Sequence, residues 1–194
     1  MKKPPISPKA LVRAADLEAA GYTRFQIPAL LRRGELARMS RGLYYWTNAS
    51  LSSHSTIASV GKLVPNGIIC LLTALRFHEI GTQNSGSVWV ALPSNYRTPK
   101  LSDISISAVH FGGIFRKAGV TDIEIDGVSV KMTSPARTVA DCFRFRNKIG
   151  LDIAIEALEE SVRRKVFTSD ELVKMAQKCR IYAVMKPYME AIYR

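Results

Sequence analysis

The segment from Arg13 to Trp46 limits the possible folds most, because it places four short elements one after another with few residues between them. Ala14 to Ala20 has the composition of a short helix, and Gly21 can take the positive φ that often follows a helix C-terminus. Thr23 is a favourable N-cap for a second helix, which Gly34 ends. This second helix carries one apolar stripe at helical spacing, formed by Ile27, Leu30 and Leu31.

Two short extended runs follow the second helix and predict a hairpin. The runs cover Leu36 to Ser40 and Leu43 to Trp46, and Arg41-Gly42 between them suits a tight turn. Helix, tight turn, helix and basic hairpin, in that order, are typical of a winged helix-turn-helix. In this fold the second helix enters the DNA major groove, and the hairpin, called the wing, touches the DNA backbone or the minor groove.

Two details modify this prediction. Pro28 removes a backbone donor inside the second helix, so either the helix starts later than Thr23, near Pro28, or its first turn is irregular. A winged helix also usually opens with another helix. Only Ser7 to Leu11 is available for it, after a proline-rich start, so that element is expected to be short or missing.

The distribution of charge supports a polyanionic partner. The chain of 194 residues has a net charge of +12 and a pI near 9.9. Residues 1–47 contain nine basic and three acidic side chains, so about a quarter of the chain carries half of the net charge. A field of this sign attracts nucleic acid. The later basic clusters, at 144–148 and 163–165, are interpreted as solvated helix faces.

Ten side chains of the first region are predicted to contact DNA. Arg and Gln form paired hydrogen bonds with guanine and adenine edges, whereas cations of the wing mostly neutralise phosphates. The alternative interpretation is a set of ordinary surface arginines, but the density of cations and the order of elements favour DNA contact. The set consists of Arg13, Thr23, Arg24, Gln26, Arg32, Arg33, Arg38, Ser40, Arg41 and Tyr44.

The rest of the chain predicts a second domain of mixed composition. Thr47 to Ser53 is small and polar, and is interpreted as a linker between a domain over residues 1–47 and another over residues 54–194. Asp126-Gly127 between two alternating runs is typical of a type I′ hairpin turn. Helical periodicity dominates after Ser134. The predicted fold class is α+β: an N-terminal winged helix-turn-helix, then a mixed-sheet α/β domain with a helical C-terminal region.

Three segments give the chain a resemblance to the AbiEi family of antitoxins from type IV toxin–antitoxin, or abortive infection, systems. They read LEAAGYTRFQIPALLRRGELARMSRGLYYW, GIICLLTALRFHEIGTQ, and MTSPARTVADCFRFR followed by LDIAIEALEE. The resemblance implies a winged-helix repressor of its own operon, with inverted repeats in the operator, and a C-terminal domain needed for antitoxicity. The functional partner it implies is a nucleotidyltransferase-like toxin, which such antitoxins oppose without a stable complex.

The most family-like block contains four polar residues that are candidates for antitoxicity: Ser134, Arg137, Thr138 and Asp141. The favoured interpretation is structural. Ser134 is then the N-cap of a helix with Pro135 at its first position. Arg137 and Asp141 are spaced i, i+4, and an exposed pair of this kind adds only a few tenths of a kcal/mol to stability, about 0.2–0.5.

Several classes of activity have little support in the sequence. The three histidines are too scattered for metal-ligand spacing, and the three cysteines are expected to be buried free thiols. Asp122, Glu124, Asp126 and Lys131 imitate a nuclease site, but alternation places the acids on one solvated strand face. No phosphate-binding glycine loop or nucleophile–base motif occurs. We therefore expect no enzyme activity and no metal or other cofactor.

The expected location is cytoplasmic, with no membrane contact. The longest apolar run, Ile68 to Leu72, is far too short to span a bilayer, and the first residues lack the apolar part of a signal peptide. Two alternative functions remain. One is an orphan transcriptional regulator whose second domain senses a ligand or dimerises. The other is a nuclease that carries a DNA-targeting domain.

Overall fold

A computed structural model describes residues 11–193 of the chain, and these form two compact units. The first unit contains 11–65 together with Pro99–Ser105 and Ile123–Val130. The second contains Asn66–Thr98, Ile106–Asp122 and the described residues from Lys131 onward. The chain thus changes unit at Pro65 and not at the predicted linker of residues 47–53. The residues predicted for a preceding helix, 7–10, lie outside the described part of the chain.

The first unit has the element order of a winged helix-turn-helix. Its elements are β1 (Val12–Arg13), α1 (Ala14–Ala19), α2 (Gln26–Arg32), β2 (Leu36–Ser40), β3 (Leu43–Trp46) and α3 (Ser55–Leu63). The strands form one antiparallel sheet in the order β1-β3-β2, so the wing hairpin is extended by the short strand that precedes α1. The predicted helix, helix and hairpin are confirmed with the same boundaries for both wing strands.

The core of this unit explains why the two short helices stay packed on the wing. Val12, Leu17, Ile27, Leu30 and Leu36 are all less than one-tenth exposed and form one apolar cluster. The strands β1 and β2 and the helices α1 and α2 each contribute a member of it, and full burial of such a side chain stabilises by about 1.5–3 kcal/mol. The helices are too short to be stable alone, so this cluster holds them in place.

The second helix begins later than Thr23, which corrects the predicted N-cap. Thr23 and the next two residues form a turn, and α2 starts at Gln26. The Gln26 side chain accepts a hydrogen bond from the Thr23 backbone N–H through Oε1, at 2.7 Å. Pro28 therefore lies in the first helical turn, where a backbone N–H has no intrahelical acceptor and its loss costs nothing. Of the two alternatives drawn from the sequence, the later start is confirmed.

The second unit contains most of a mixed sheet and a helical C-terminal region. The sheet has the strand order β6-β5-β4-β8-β7, parallel at β5–β6 and β4–β8 and antiparallel at β4–β5, and the part of its β7–β8 hairpin from Ile123 to Val130 belongs to the first unit. The strands are β4 (Ile68–Ile69), β5 (Val88–Pro93), β6 (Ile106–Phe111), β7 (Val120–Ile125) and β8 (Val128–Thr133). The helices are α4 (Leu71–Phe77), α5 (Pro135–Arg144), α6 (Arg146–Ile149), α7 (Leu151–Arg163), α8 (Ser169–Lys178) and α9 (Tyr182–Ile192). The predicted α+β fold class is confirmed.

Helix α5 lies at the centre of the second unit. It packs against α4, α7 and α8, and its residues Ala136–Phe143 are all buried. The predicted hairpin turn and the cap of α8 are both regular. Asp126 and Gly127 take positive φ values of 49° and 73° at the hairpin turn. Thr168 caps α8, because its Oγ1 accepts from the Glu171 N–H at 3.2 Å while Glu171 accepts from the Thr168 N–H at 2.8 Å.

Candidate nucleic-acid interface

The surface that we name the basic face consists of the turn before α2, α2 itself and the wing. Helix α2 turns Ile27 and Leu30 into the core and leaves Pro28 and Arg32 exposed. Six of the ten predicted DNA contacts are exposed on this part of the chain: Thr23, Arg24, Arg32, Arg33, Arg38 and Arg41. The core packing of the helix and the pairing of the wing strands therefore decide which cations reach solvent.

Two of these arginines are already paired with nearby carboxylates. Arg24 Nε lies 2.6 Å from Glu18 Oε1, and Arg33 Nε lies 2.6 Å from Glu35 Oε1. The hydrogen bond that Arg24 donates to the Glu18 carboxylate raises the pKa of Arg24 above its already high value. Exposed pairs of this type are weak and exchange readily for another anion. Within residues 11–193, Arg32, Arg38 and Arg41 carry no ion pair, so their charges are available without such exchange.

Four predicted DNA contacts are partly or wholly withdrawn from the surface. Ser40 is only 6% exposed, so its side chain is not on the basic face. Arg13 is half-buried, and its N–H donates to Asp16 Oδ2 at 2.8 Å at the start of α1. Tyr44 is half-buried and packs against the apolar cluster of the first unit. Gln26, also half-buried, holds the turn before α2, so substituting it changes stability as well as any base contact.

Phe25 is an exposed residue of this surface that the sequence analysis did not select. Phe25 is 90% exposed, more than any other large apolar residue of the described chain. It lies in the turn before α2, between Arg24 and Gln26. The available signal was its position outside the i, i+3, i+4 stripe, which leaves it on the face opposite to the core. The ring is therefore accessible to a partner of the basic face.

An open pocket of about 380 Å³ lies beside the wing. Its lining consists of Arg38, Met39, Ser40, Arg41, Ser102 and Asp103. The last two come from the segment Pro99–Ser105, which belongs to the first unit although about sixty residues separate it from the wing. Sequence reasoning had no signal for this pairing, because only tertiary folding brings the segment to the wing.

The four antitoxicity candidates occupy a different place in the molecule. Arg137, Thr138 and Asp141 are fully buried inside the second unit, and only Ser134 is half-buried. The predicted pair exists, with Arg137 Nε donating to Asp141 Oδ2 at 2.8 Å, but neither side chain has any exposure. The small stability contribution given for an exposed pair therefore does not apply, because α5 runs through the centre of the unit instead of along its surface.

Arg137 connects α5 to the segment before β7. Its guanidinium donates to the carbonyl oxygens of Ala118 and Phe115 and lies over the Phe111 ring, 4.8 Å from the ring centroid. Burial raises the pKa of Asp141 to about 6, although the Arg137 charge acts in the opposite direction. These contacts are typical of a buried structural ion pair, which solvent does not reach.

Ser134 holds the N-cap position without acting as a side-chain cap. Its backbone is extended there, but its hydroxyl makes no cap hydrogen bond. Thr138 binds this end of the helix instead, since its Oγ1 donates to the Ser134 carbonyl at 2.9 Å and lies 2.7 Å from Thr133 Oγ1. Ser134 also lines an open pocket of about 290 Å³, together with Phe167 and Lys174. The predicted capping role of its side chain is wrong.

The later basic clusters divide into two kinds. Arg163, Arg164 and Lys165 are exposed, and Arg164 pairs with Glu160 at 3.0 Å, as predicted for a solvated face. Arg144 is instead half-buried, with its guanidinium 3.9 Å from the centroid of the Phe115 ring. The cluster near the end of α5 thus has a packing role as well.

The last candidates are the metal-ligand, nuclease-like and cysteine side chains of the described residues. Within the described residues, no group of three His, Cys, Asp or Glu side chains is placed to hold a metal ion. Asp126 instead accepts from the Ser52 N–H at 2.9 Å. Cys70, Cys142 and Cys179 are buried, and burial raises their thiol pKa values, that of Cys179 to about 11. No helix of residues 11–193 has the length and apolarity needed to cross a bilayer.

Fold and exposed charge define a class of protein: a winged helix-turn-helix unit joined to an α/β unit with a helical end. Among solved structures, the chain is similar to the crystal structure of the RV2827C protein from Mycobacterium tuberculosis. The TM-score is 0.56 at 15% sequence identity, over 87% of this chain and 66% of that one, so this chain spans slightly less than two thirds of its length. This similarity supports the fold alone. No protein-family model matches the chain, and no curated protein sequence matches it.

Proposed function

We propose that this protein binds duplex DNA through the basic face and acts as a sequence-specific transcriptional repressor. The observation that carries the proposal is the arrangement of cations. Arg32 lies on the exposed side of the second helix of a helix-turn-helix, and Arg38 and Arg41 lie in the adjoining wing, all three without an ion pair in the described residues. A helix and a wing with this relation contact the major groove and the neighbouring backbone, respectively.

The division of roles within the basic face follows from chemistry and position. The second helix and the turn before it approach base edges in helix-turn-helix proteins, which assigns Arg24, Phe25, Gln26 and the exposed Arg32 to sequence discrimination. Arg38 and Arg41 in the wing are assigned to phosphate neutralisation, which contributes equally to all sequences. The weak pairs of Arg24 and Arg33 with Glu18 and Glu35 are exchanged for contacts with DNA.

The proposed target is the operator of the protein's own operon, with inverted repeats, and the proposed second activity is that of a type IV antitoxin. This part rests on the resemblance to AbiEi antitoxins, and it makes a nucleotidyltransferase-like toxin the functional partner, opposed without a stable complex. We further propose a cytoplasmic location, no enzyme activity and no cofactor. Antitoxicity is assigned to the second unit, whose family-like block is buried and structural.

DNA binding is tested with the full-length protein and labelled duplexes over a range of salt concentrations. The logarithm of the affinity is expected to fall linearly with the logarithm of salt, with a slope of about 0.9 per phosphate contacted. Arg38→Ala with Arg41→Ala should lower this slope and weaken all sequences alike, whereas Arg32→Ala should relax sequence preference. Arg163→Ala, an exposed arginine of the second unit, is the matched control. A folded protein without salt-dependent binding would contradict the proposal.

Antitoxicity is tested separately in cells. Arg32→Ala with Arg33→Ala should derepress the promoter, while cells that express the toxin encoded beside this gene still survive. Both substitutions are at exposed positions, so the protein should remain folded and abundant. Loss of both activities in such a variant would show that repression and protection are not separable. A neighbouring gene of unrelated type would instead favour an orphan regulator.

A further inference from the structure

We infer that a groove on the second unit is a docking site for an acidic segment of a partner protein that also carries large apolar side chains. The groove, which we name the lysine groove, consists of two open hollows of about 290 and about 570 Å³ whose linings share Val166, Phe167 and Glu171. Every residue that lines it belongs to the second unit. The inference goes beyond the proposed function and does not rest on DNA binding, because no residue of the basic face takes part in it.

The floor of the lysine groove is apolar. Phe167, in the connection between α7 and α8, lines both hollows, and Met175 of α8 lines the smaller one. The larger hollow adds Val162 and Tyr193, and Tyr193 is 43% exposed. Phe167, Met175 and Val162 are half-buried, so they pack on the core of the second unit and line the groove as well. An exposed apolar surface with a polar rim is typical of a contact with another protein.

The rim of the lysine groove is positively charged. Lys174 and Lys178 lie four residues apart on α8 beside the smaller hollow, and Lys165 lies beside the larger one. All three are exposed, and none forms an ion pair within the described residues. The one carboxylate in the lining, that of Glu171, is already occupied, because it accepts from the Thr168 N–H at 2.8 Å and from Thr168 Oγ1 at 3.1 Å. The charge of the rim therefore complements an acidic occupant.

Floor and rim together define the chemistry of this occupant. Apolar side chains of a partner gain free energy by leaving water for the floor, and carboxylates beside them meet the lysines of the rim. The two hollows accommodate two such anchors, one in each. A nucleic acid would satisfy the lysines but would bring no aliphatic side chain to Phe167 and Met175. A segment that is acidic and carries two large apolar residues satisfies both parts of the groove.

The experiment begins with a library of short random peptides displayed on phage and selected on the immobilised full-length protein. We expect the enriched peptides to contain Asp or Glu beside two large apolar residues. One enriched peptide is then synthesised with a fluorescent label, and its affinity for the protein is measured by fluorescence anisotropy. Replacing its acidic residues with the corresponding amides, or its two apolar anchors with serine, should each weaken binding by about tenfold or more.

Charge reversal on α8 tests where the peptide binds. Lys174→Glu with Lys178→Glu should weaken binding of the labelled peptide by about tenfold or more, because each lost ion pair is worth up to about fivefold in affinity. Lys117→Glu with Lys148→Glu is the matched control. It changes the net charge by the same amount at two exposed lysines of the second unit that lie outside the groove, and should leave peptide affinity unchanged. Melting temperatures establish that each variant is folded.

The outcomes distinguish this occupant from others. The inference is overturned if no acidic peptide is enriched, or if peptide affinity falls equally in the groove variant and in its control. Oligonucleotide binding that the groove variant alone weakens, with peptide affinity unchanged, would assign the lysines to nucleic acid and also overturn it. Self-association in sedimentation experiments that the groove variant abolishes would make a second copy of the chain the occupant instead. Arg32→Ala with Arg33→Ala should retain full peptide affinity, so a failure of DNA binding leaves this inference standing.

Discussion

Replacing Arg137 with Ala should strongly destabilise the protein, because the Arg137–Asp141 pair lies inside the second unit. Arg137 and Asp141 have no exposed side-chain surface, and their atoms lie 2.8 Å apart. Removing one member of a buried pair leaves the other as an unpaired charge and costs about 3–5 kcal/mol. The carbonyl oxygens of Ala118 and Phe115 also lose their donor.

The expected loss is large compared with the stability of the whole protein. Native proteins unfold at a cost of about 5–15 kcal/mol, so Arg137→Ala would consume a substantial part of it. For a chain of this size, each kcal/mol lowers the melting temperature by about 2–4 °C, which predicts a decrease of at least about 6 °C. Thermal and urea unfolding measure it, with Arg163→Ala as the exposed control.

A double substitution provides the decisive comparison. Arg137→Met with Asp141→Asn removes both charges and keeps both side-chain volumes similar, so no unpaired charge remains in the core. Part of the lost stability should therefore return, although the carbonyl oxygens of Ala118 and Phe115 still lack a donor, and protection against the toxin should return with it. A melting temperature of Arg137→Ala within about 2 °C of the wild type would refute the reasoning. Protection lost in the stable double variant would show that the charges themselves have a function.

Three further predictions concern single side chains. The Phe25 ring is expected to pack against a thymine methyl group of the operator, and one buried methyl group is worth about fourfold in affinity. The wild type should therefore bind about fourfold more weakly when uracil replaces thymine, and Phe25→Ala should bind both operators alike; an equal preference for thymine in both proteins would contradict this. Gln26→Ala should lower stability by about 1 kcal/mol, and Gln26→Glu should restore the acceptor for the Thr23 N–H but still weaken DNA binding by repulsion, as urea unfolding and DNA titration would show. Because the pKa of Asp141 is raised from 3.8 to about 6, its contribution to stability is complete below pH 3.8 and declines by about 3 kcal/mol as pH rises to 6; the difference in unfolding free energy between wild type and Asp141→Asn over this range measures it, and a difference that does not vary with pH would contradict it.

The local structure of the first unit was predictable because its signals are themselves local. Gly21 and Gly34, which take positive φ, follow the two helices. The boundaries of the two wing strands agree with the two extended runs predicted between Leu36 and Trp46. The start of α2 was not predictable with certainty from Thr23. Thr23 as N-cap and Pro28 in the helix favour different starting residues. The start depends on which side chain accepts from the free backbone N–H of Thr23, and in the structure this side chain is Gln26.

The amino-acid sequence alone determined the kinds of elements, their order and the concentration of positive charge at the N-terminal end, since these depend on residue type and spacing. Only the tertiary structure decided what each polar side chain does. The spacing of Arg137 and Asp141 is the same on an exposed and a buried helix, and the packing of α5 among α4, α7 and α8 determined burial. Ser40 was moved inside by a bulge, and the segment with Ser102 joined the wing through contacts distant in sequence. Burial and long-range contact are properties of the whole fold, and no pattern of neighbouring residues records them.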